Sequence, residues 1–244
     1  MRATTWCIKL VSRLIVVAGF ASTCAAFAAE PTLGTGYLKA KHPQTAESGS
    51  KVEVTEFFSY HCPHCYSLDP ALNAWVAKHK SDVLFKRVHV AWGEPGSSTQ
   101  RTMKALQRGF YTLTALGKEA QFHKKLFDAF QVQHLPLYSD EQVSAFLIKQ
   151  GLDQASYVAA SRSFSVESNM QRALQSMQKY ELTGVPNLVV DGRFVTSPSL
   201  AALGVTSNSE LADDAKAIKV LDTLVAAVKA ERAPAVASKP AKKK

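Results

Sequence analysis

Residues 51–68, KVEVTEFFSYHCPHCYSL, join a run of β-branched and aromatic residues to two cysteines three positions apart. Lys51–Ser59 reads as a strand, and Leu68, Leu72, Trp75 and Val76 then recur at helical spacing, so the stretch predicts strand, motif, helix. Pro63 fits the first turn of that helix, where a missing N–H loses no partner. Val83–Ala91, VLFKRVHVA, reads as a second strand, parallel to the first because a helix joins them.

Working outward, Gly93-Glu94-Pro95-Gly96 breaks the pattern, and the chain turns helical to about Glu181. Met103, Leu106, Phe110 and Leu113 form one apolar face, Phe122, Leu126, Phe127 and Phe130 another, and Met170, Leu174 and Met177 a third. Ser139-Asp140-Glu141-Gln142 has the spacing of a capping box. These faces read as core, with a peptide groove as the alternative. After Gly184-Val185-Pro186 the stretches Asn187–Val190 and Arg193–Thr196 flank Asp191-Gly192 as a hairpin. Ile218, Leu221, Leu224, Val225 and Val228 mark a last helix. The order predicts an α/β domain in two parts, residues 29–94 and 182–230, interrupted by an all-helical insertion at 95–181.

The first 28 residues place Arg2, Lys9 and Arg13 before an apolar run and end in Ala26-Phe27-Ala28, the pattern of a cleaved secretory signal. The run is too short for a membrane span. Ala21-Ser22-Thr23 before Cys24 does not resemble a lipoprotein site. Removing the leader leaves 26 basic against 20 acidic residues, a net charge of +6, much of it in a solvated, disordered tail at 231–244 ending in Lys242, Lys243 and Lys244. An exported chain meets little nucleic acid, so no nucleic-acid partner is expected.

Cys7 and Cys24 leave with the signal, so Cys62 and Cys65 remain. A bridge between them closes almost no loop, which argues for chemistry over stapling. A cysteine at a helix start meets the positive end of the dipole and free N–H donors, which favour thiolate; Cys62 stands there and Cys65 a turn inside. His64 adds a donor and a charge near the Cys62 sulfur. A structural zinc would need two further ligands, and His61 and His64 are too close in sequence to enclose a tetrahedral ion. Tyr66 stands where haem attachment requires histidine. Copper handling stays open as an alternative, and neither metal nor cofactor is required.

EFFSYHCPHCYSL (residues 56–68), with GVPNLVVDGRF (184–194), resembles the DsbA family of bacterial periplasmic thiol:disulfide oxidoreductases, members of the thioredoxin superfamily. The resemblance implies a thioredoxin-like fold with an inserted helical domain. It implies Cys62 as the attacked sulfur, Cys65 as the resolving one, and Pro63 and His64 as the dipeptide that sets redox poise. Pro186 falls where the family has a cis proline, and Val185 would offer backbone groups to an extended substrate. Glu56, alternating onto the face opposite Glu53, matches a family acid that accepts a proton near the buried cysteine. Arg87 stands where the family often has lysine, which puts proton transfer through that position in doubt. His61 departs from an apolar aromatic and reads as tuning the thiolate or touching substrate.

These residues predict an exported, monomeric periplasmic enzyme that passes a Cys62–Cys65 disulfide to newly translocated proteins. The resemblance implies reoxidation by a quinone-linked, DsbB-like membrane protein. An isomerase or reductase is the alternative within this chemistry, and a periplasmic metal- or peptide-binding chaperone the alternative outside it.

Overall fold

The computed structural model describes residues 31–203 and 209–233. The signal expected at 1–28 lies outside them, as does the tail from residue 234 on. The described elements are β1 (Leu38–Lys39), β2 (Val52–Phe58), α1 (Pro63–His79), β3 (Val83–His89), α2 (Ser98–Ala115), α3 (Glu119–Gln131) and α4 (Asp140–Lys149). There follow α5 (Gln154–Ser161), α6 (Phe164–Lys179), β4 (Asn187–Val190), β5 (Phe194–Thr196), α7 (Pro198–Ala201) and α8 (Glu210–Arg232). One five-stranded sheet runs in the order β1-β5-β4-β2-β3. β2 and β3 are parallel, from Val52 opposite Val83 to Phe58 opposite His89, and the other pairings are antiparallel. This is a thioredoxin-like sheet interrupted, between β3 and β4, by five helices.

Two hydrophobic cores form among the described residues. Val52 and Val54 of β2 pack with Leu68, Leu72, Trp75 and Leu221 between the sheet and helices α1 and α8. Phe57 and Phe58, at the end of the same strand, join Leu106, Phe110, Leu126 and Phe127 of the insertion. The Phe58 ring meets His89, Tyr60 and Phe110 edge-on at 4.9, 5.2 and 5.2 Å. Each such pair contributes about 0.5–1.5 kcal/mol beyond area burial. The strand end that carries the redox motif is therefore also the seat of the insertion.

Local differences from the sequence reading have physical causes. Ser139 caps α4 by accepting from the Gln142 amide, but the Gln142 side chain accepts from Tyr138 N–H rather than from Ser139, so half of the expected capping box is displaced by one residue. Leu174 faces solvent while Met170 and Met177 are buried. β1 is only two residues long and carries no periodicity that a pattern could show. α8 continues through Glu231 and Arg232, which pair with Arg193 and Asp191, so the helix runs past the expected start of the tail.

The hairpin turn takes φ 56° at Asp191 and 66° at Gly192, the geometry that Asp-Gly favours. A Cβ on Gly192 would also run into the backbone carbonyl of Gln44, whose amide bonds Gly192 O at 2.9 Å. Gly192→Ala is expected to destabilise by about 2 kcal/mol or more, combining left-handed strain with the clash, as read by urea unfolding.

Candidate active site

Cys62 is the N-cap of α1, with extended backbone (φ −90°, ψ 116°) and Pro63 at the first helical position. Cys65, a turn inside, is fully buried, and both cysteines are free thiols in this structure. The Cys62 pKa falls to about 7, chiefly because the Cys65 side chain hydrogen-bonds its sulfur, with the backbone amides of Cys65 and His64 adding to this against the cost of burial. Cys65 moves the other way, well above a thiol's ordinary value, because burial disfavours its charge. The pair is asymmetric in exposure and in proton affinity.

His64 gives the Cys62 sulfur its backbone amide and a through-space charge, as expected, while its side-chain Nδ1 bonds Glu210 of α8 at 2.5 Å in an exposed pair. That bond raises its pKa, and the resulting charge acts on Cys62 only as a minor through-space influence. His61 makes no bond to sulfur. Its ring lies 5.2 Å from Phe130, tilted 42°, and burial lowers its pKa, so it presents a neutral aromatic surface beside Cys62.

Across the motif, the Val185–Pro186 bond is cis. The Cys62 thiol donates to Val185 O at 3.4 Å. The loop is held by Asn187, whose side chain donates to Gly184 O at 2.7 Å. Beside it opens a cavity of about 920 Å³ lined by Leu38, Tyr180, Leu182, Val185, Val195 and Leu200, among others.

Beneath Cys65, Glu56 is wholly buried and receives Arg87 Nε at 3.0 Å, while its other oxygen has no partner. Arg87 also faces Asp69 at 3.5 Å, Glu119 at 3.3 Å and Asn73 at 2.5 Å. One guanidinium thus serves three carboxylates. Burial drives the Glu56 pKa up to about 7, further raised by Asp69 and Glu119 and opposed by Arg87. Asp69, the remaining member of the buried face Cys65, Leu68, Asp69, Leu72, was missed by the sequence reading, although an acid on an apolar helix face was a readable signal. Glu119 and His123, from the insertion, had no such signal, because nothing in their spacing shows which strand they meet. Among the described residues no group of three or more His, Cys, Asp or Glu could hold a metal ion.

A strand end, a Cys-Pro-His-Cys helix start and a facing cis-proline loop define a thioredoxin-type dithiol centre. The family model described as a DSBA-like thioredoxin domain matches residues 53–214. The thiol:disulfide interchange protein DsbA of Bordetella parapertussis is 32% identical over 226 residues, 92% of this chain and 98% of that one. The crystal structure of Pseudomonas aeruginosa DsbA superimposes with TM-score 0.71 at 28% identity, covering 82% of this chain and 95% of that one. A Proteus mirabilis DsbA, solved with the non-covalently bound peptide PWATCDS, gives 0.65 at 25% identity over 81% and 100%. The chain belongs to the DsbA family and is a protein thiol:disulfide oxidoreductase.

Proposed function

We propose that this enzyme donates a Cys62–Cys65 disulfide to reduced cysteines of newly exported polypeptides in the periplasm, acting as a monomer. The observation that carries this reading is the asymmetry at the helix start: a half-buried Cys62 sulfur facing Val185 O, with a buried Cys65 thiol hydrogen-bonded to it. A substrate thiolate attacks Cys62 Sγ, the Cys62–Cys65 bond breaks, and Cys65 leaves with the electron pair. Its buried thiolate takes up a proton, which the buried Glu56 carboxyl, close enough to act on Cys65 through space, supplies. The substrate's second thiolate then attacks the substrate sulfur of the mixed disulfide and releases Cys62 as thiolate. Two electrons pass from substrate to enzyme, and Cys62 is the better leaving group because its thiolate is the stabilised one.

Val185 supplies a backbone acceptor, and Pro186 shapes the loop, so an extended segment docks without demands on its side chains. The Proteus mirabilis relative binds a cysteine-containing peptide non-covalently, which supports a peptide substrate here. His61, its ring 5.2 Å from Phe130, adds an aromatic surface beside Cys62. Arg87 stays protonated and stabilises the cluster, leaving proton exchange to Glu56. Reoxidation is assigned to a quinone-linked, DsbB-like membrane protein.

The oxidised protein, mixed with an equimolar reduced peptide holding two cysteines, is expected to become reduced as the peptide closes its disulfide, read by mass. A peptide that stays reduced overturns the oxidase reading.

A further inference from the structure

Tyr60, two residues before Cys62, is wholly buried, and each of its three polar groups is held by a different side chain. Its amide donates to His89 Nε2 at 3.0 Å, its carbonyl accepts from Gln131 Nε2 at 2.7 Å, and its hydroxyl bonds His123 Nδ1 at 2.9 Å. A backbone N–H only donates, so His89 Nε2 is unprotonated. His123 Nε2 bonds Asp69 at 2.9 Å, which makes Nδ1 the acceptor for the Tyr60 hydroxyl when the ring is neutral. The His89 carbonyl is in turn held by Gln107 and Tyr111 of α2, at 2.8 and 3.2 Å.

Ser59–Cys62 forms a turn closed by Cys62 N–H to Ser59 O at 3.0 Å. Its central peptide joins Tyr60 to His61. That peptide is fixed at both ends, at Tyr60 O by Gln131 and at His61 N–H by Ser59 Oγ at 3.3 Å. Rotating it would break both bonds and move Cys62 relative to the N–H donors of α1 that stabilise its charge.

We propose that Tyr60 is a positioning residue for thiol exchange, through which α2 and α3 of the helical insertion set the placement of Cys62 at the start of α1. The helical block then does more than cover the sheet: it holds the redox turn in one conformation. The inference rests on Cys62 being the sulfur that exchanges with substrate.

Gln131→Met keeps the length of the side chain, removes the donor and leaves Tyr60 O unpaired. Tyr60→Phe removes only the hydroxyl link to His123. The measurement is the pH dependence of iodoacetamide reaction at Cys62, with thermal unfolding followed in parallel. The titratable groups that act on Cys62 are Cys65 and His64, and neither is altered in either variant. In Gln131→Met the thiolate fraction at neutral pH is expected to fall about threefold to fivefold, the consequence of one lost hydrogen bond, with a smaller fall in Tyr60→Phe. Variants that melt lower yet titrate like the parent would make Tyr60 structural only and overturn the proposal. A parent whose Cys62 is not the first cysteine alkylated would overturn the site reading and this inference together, a result visible before any variant is compared.

Discussion

Cys65→Ala is expected to arrest the reaction midway: mixed with a disulfide-bonded peptide, the variant accumulates a mixed disulfide at Cys62 that the parent never holds. No second sulfur remains beneath Cys62 to resolve it. The same change removes the hydrogen bond that is the largest cause of the low Cys62 pKa of about 7. A rise of about one unit cuts the thiolate fraction at pH 7 roughly fivefold. Cys62→Ser should behave differently, losing exchange to background, because the remaining Cys65 thiol is buried and resists ionisation. Adduct mass and iodoacetamide titration read both. Equal reactivity of the two single-cysteine proteins would contradict the asymmetric site.

The second large effect concerns the carboxylates under the motif. Glu56 titrates at about 7 in the folded chain against 4.5 when free, so the folded state binds its proton more tightly than the unfolded state. Its contribution is whole below pH 4.5 and is lost as pH rises through about 7, on the order of 3 kcal/mol in all. Glu56→Gln, which keeps the shape without the charge, is therefore expected to be more stable than the parent above pH 7, with the difference fading towards pH 4.5. Arg87→Met does the reverse, since it leaves Glu56, Asp69 and Glu119 without their shared cation. At pH 7 it should lose about 3 kcal/mol or more, as expected for removing one partner of a buried ion pair. Urea unfolding of the reduced proteins from pH 4.5 to 8 measures both. A Glu56→Gln difference independent of pH would show that Glu56 titrates normally.

The parts of the fold and site that were legible in the sequence are those whose causes are local. The β2–α1 junction could be read because Val52 to Phe58 and Leu68 to Trp75 change period at the cysteines, and the β4–β5 hairpin because Asp191-Gly192 takes positive φ. Cys62 as helix cap followed from Pro63. What stayed hidden depends on chain segments distant in sequence. The Tyr60 anchors come from β3 and α3, the partners of Arg87 come from three elements, and His64 turns to Glu210, 146 residues away. Spacing predicted the last helix and placed His64 by the sulfur, but could not show that the first turn of α8 brings Glu210 to the His64 ring. β1 was missed because two residues paired at the sheet edge leave no alternation to detect.

The most direct test of disulfide donation is the redox equilibrium of Cys62 and Cys65 in glutathione buffers of graded ratio, with each state trapped by acid and counted by alkylation mass. Disulfide donation to reduced substrates requires a potential clearly more oxidising than the value of about −270 mV for thioredoxin. The pair would then be largely reduced in buffers that leave a structural disulfide intact. A potential as reducing as that of thioredoxin would contradict it.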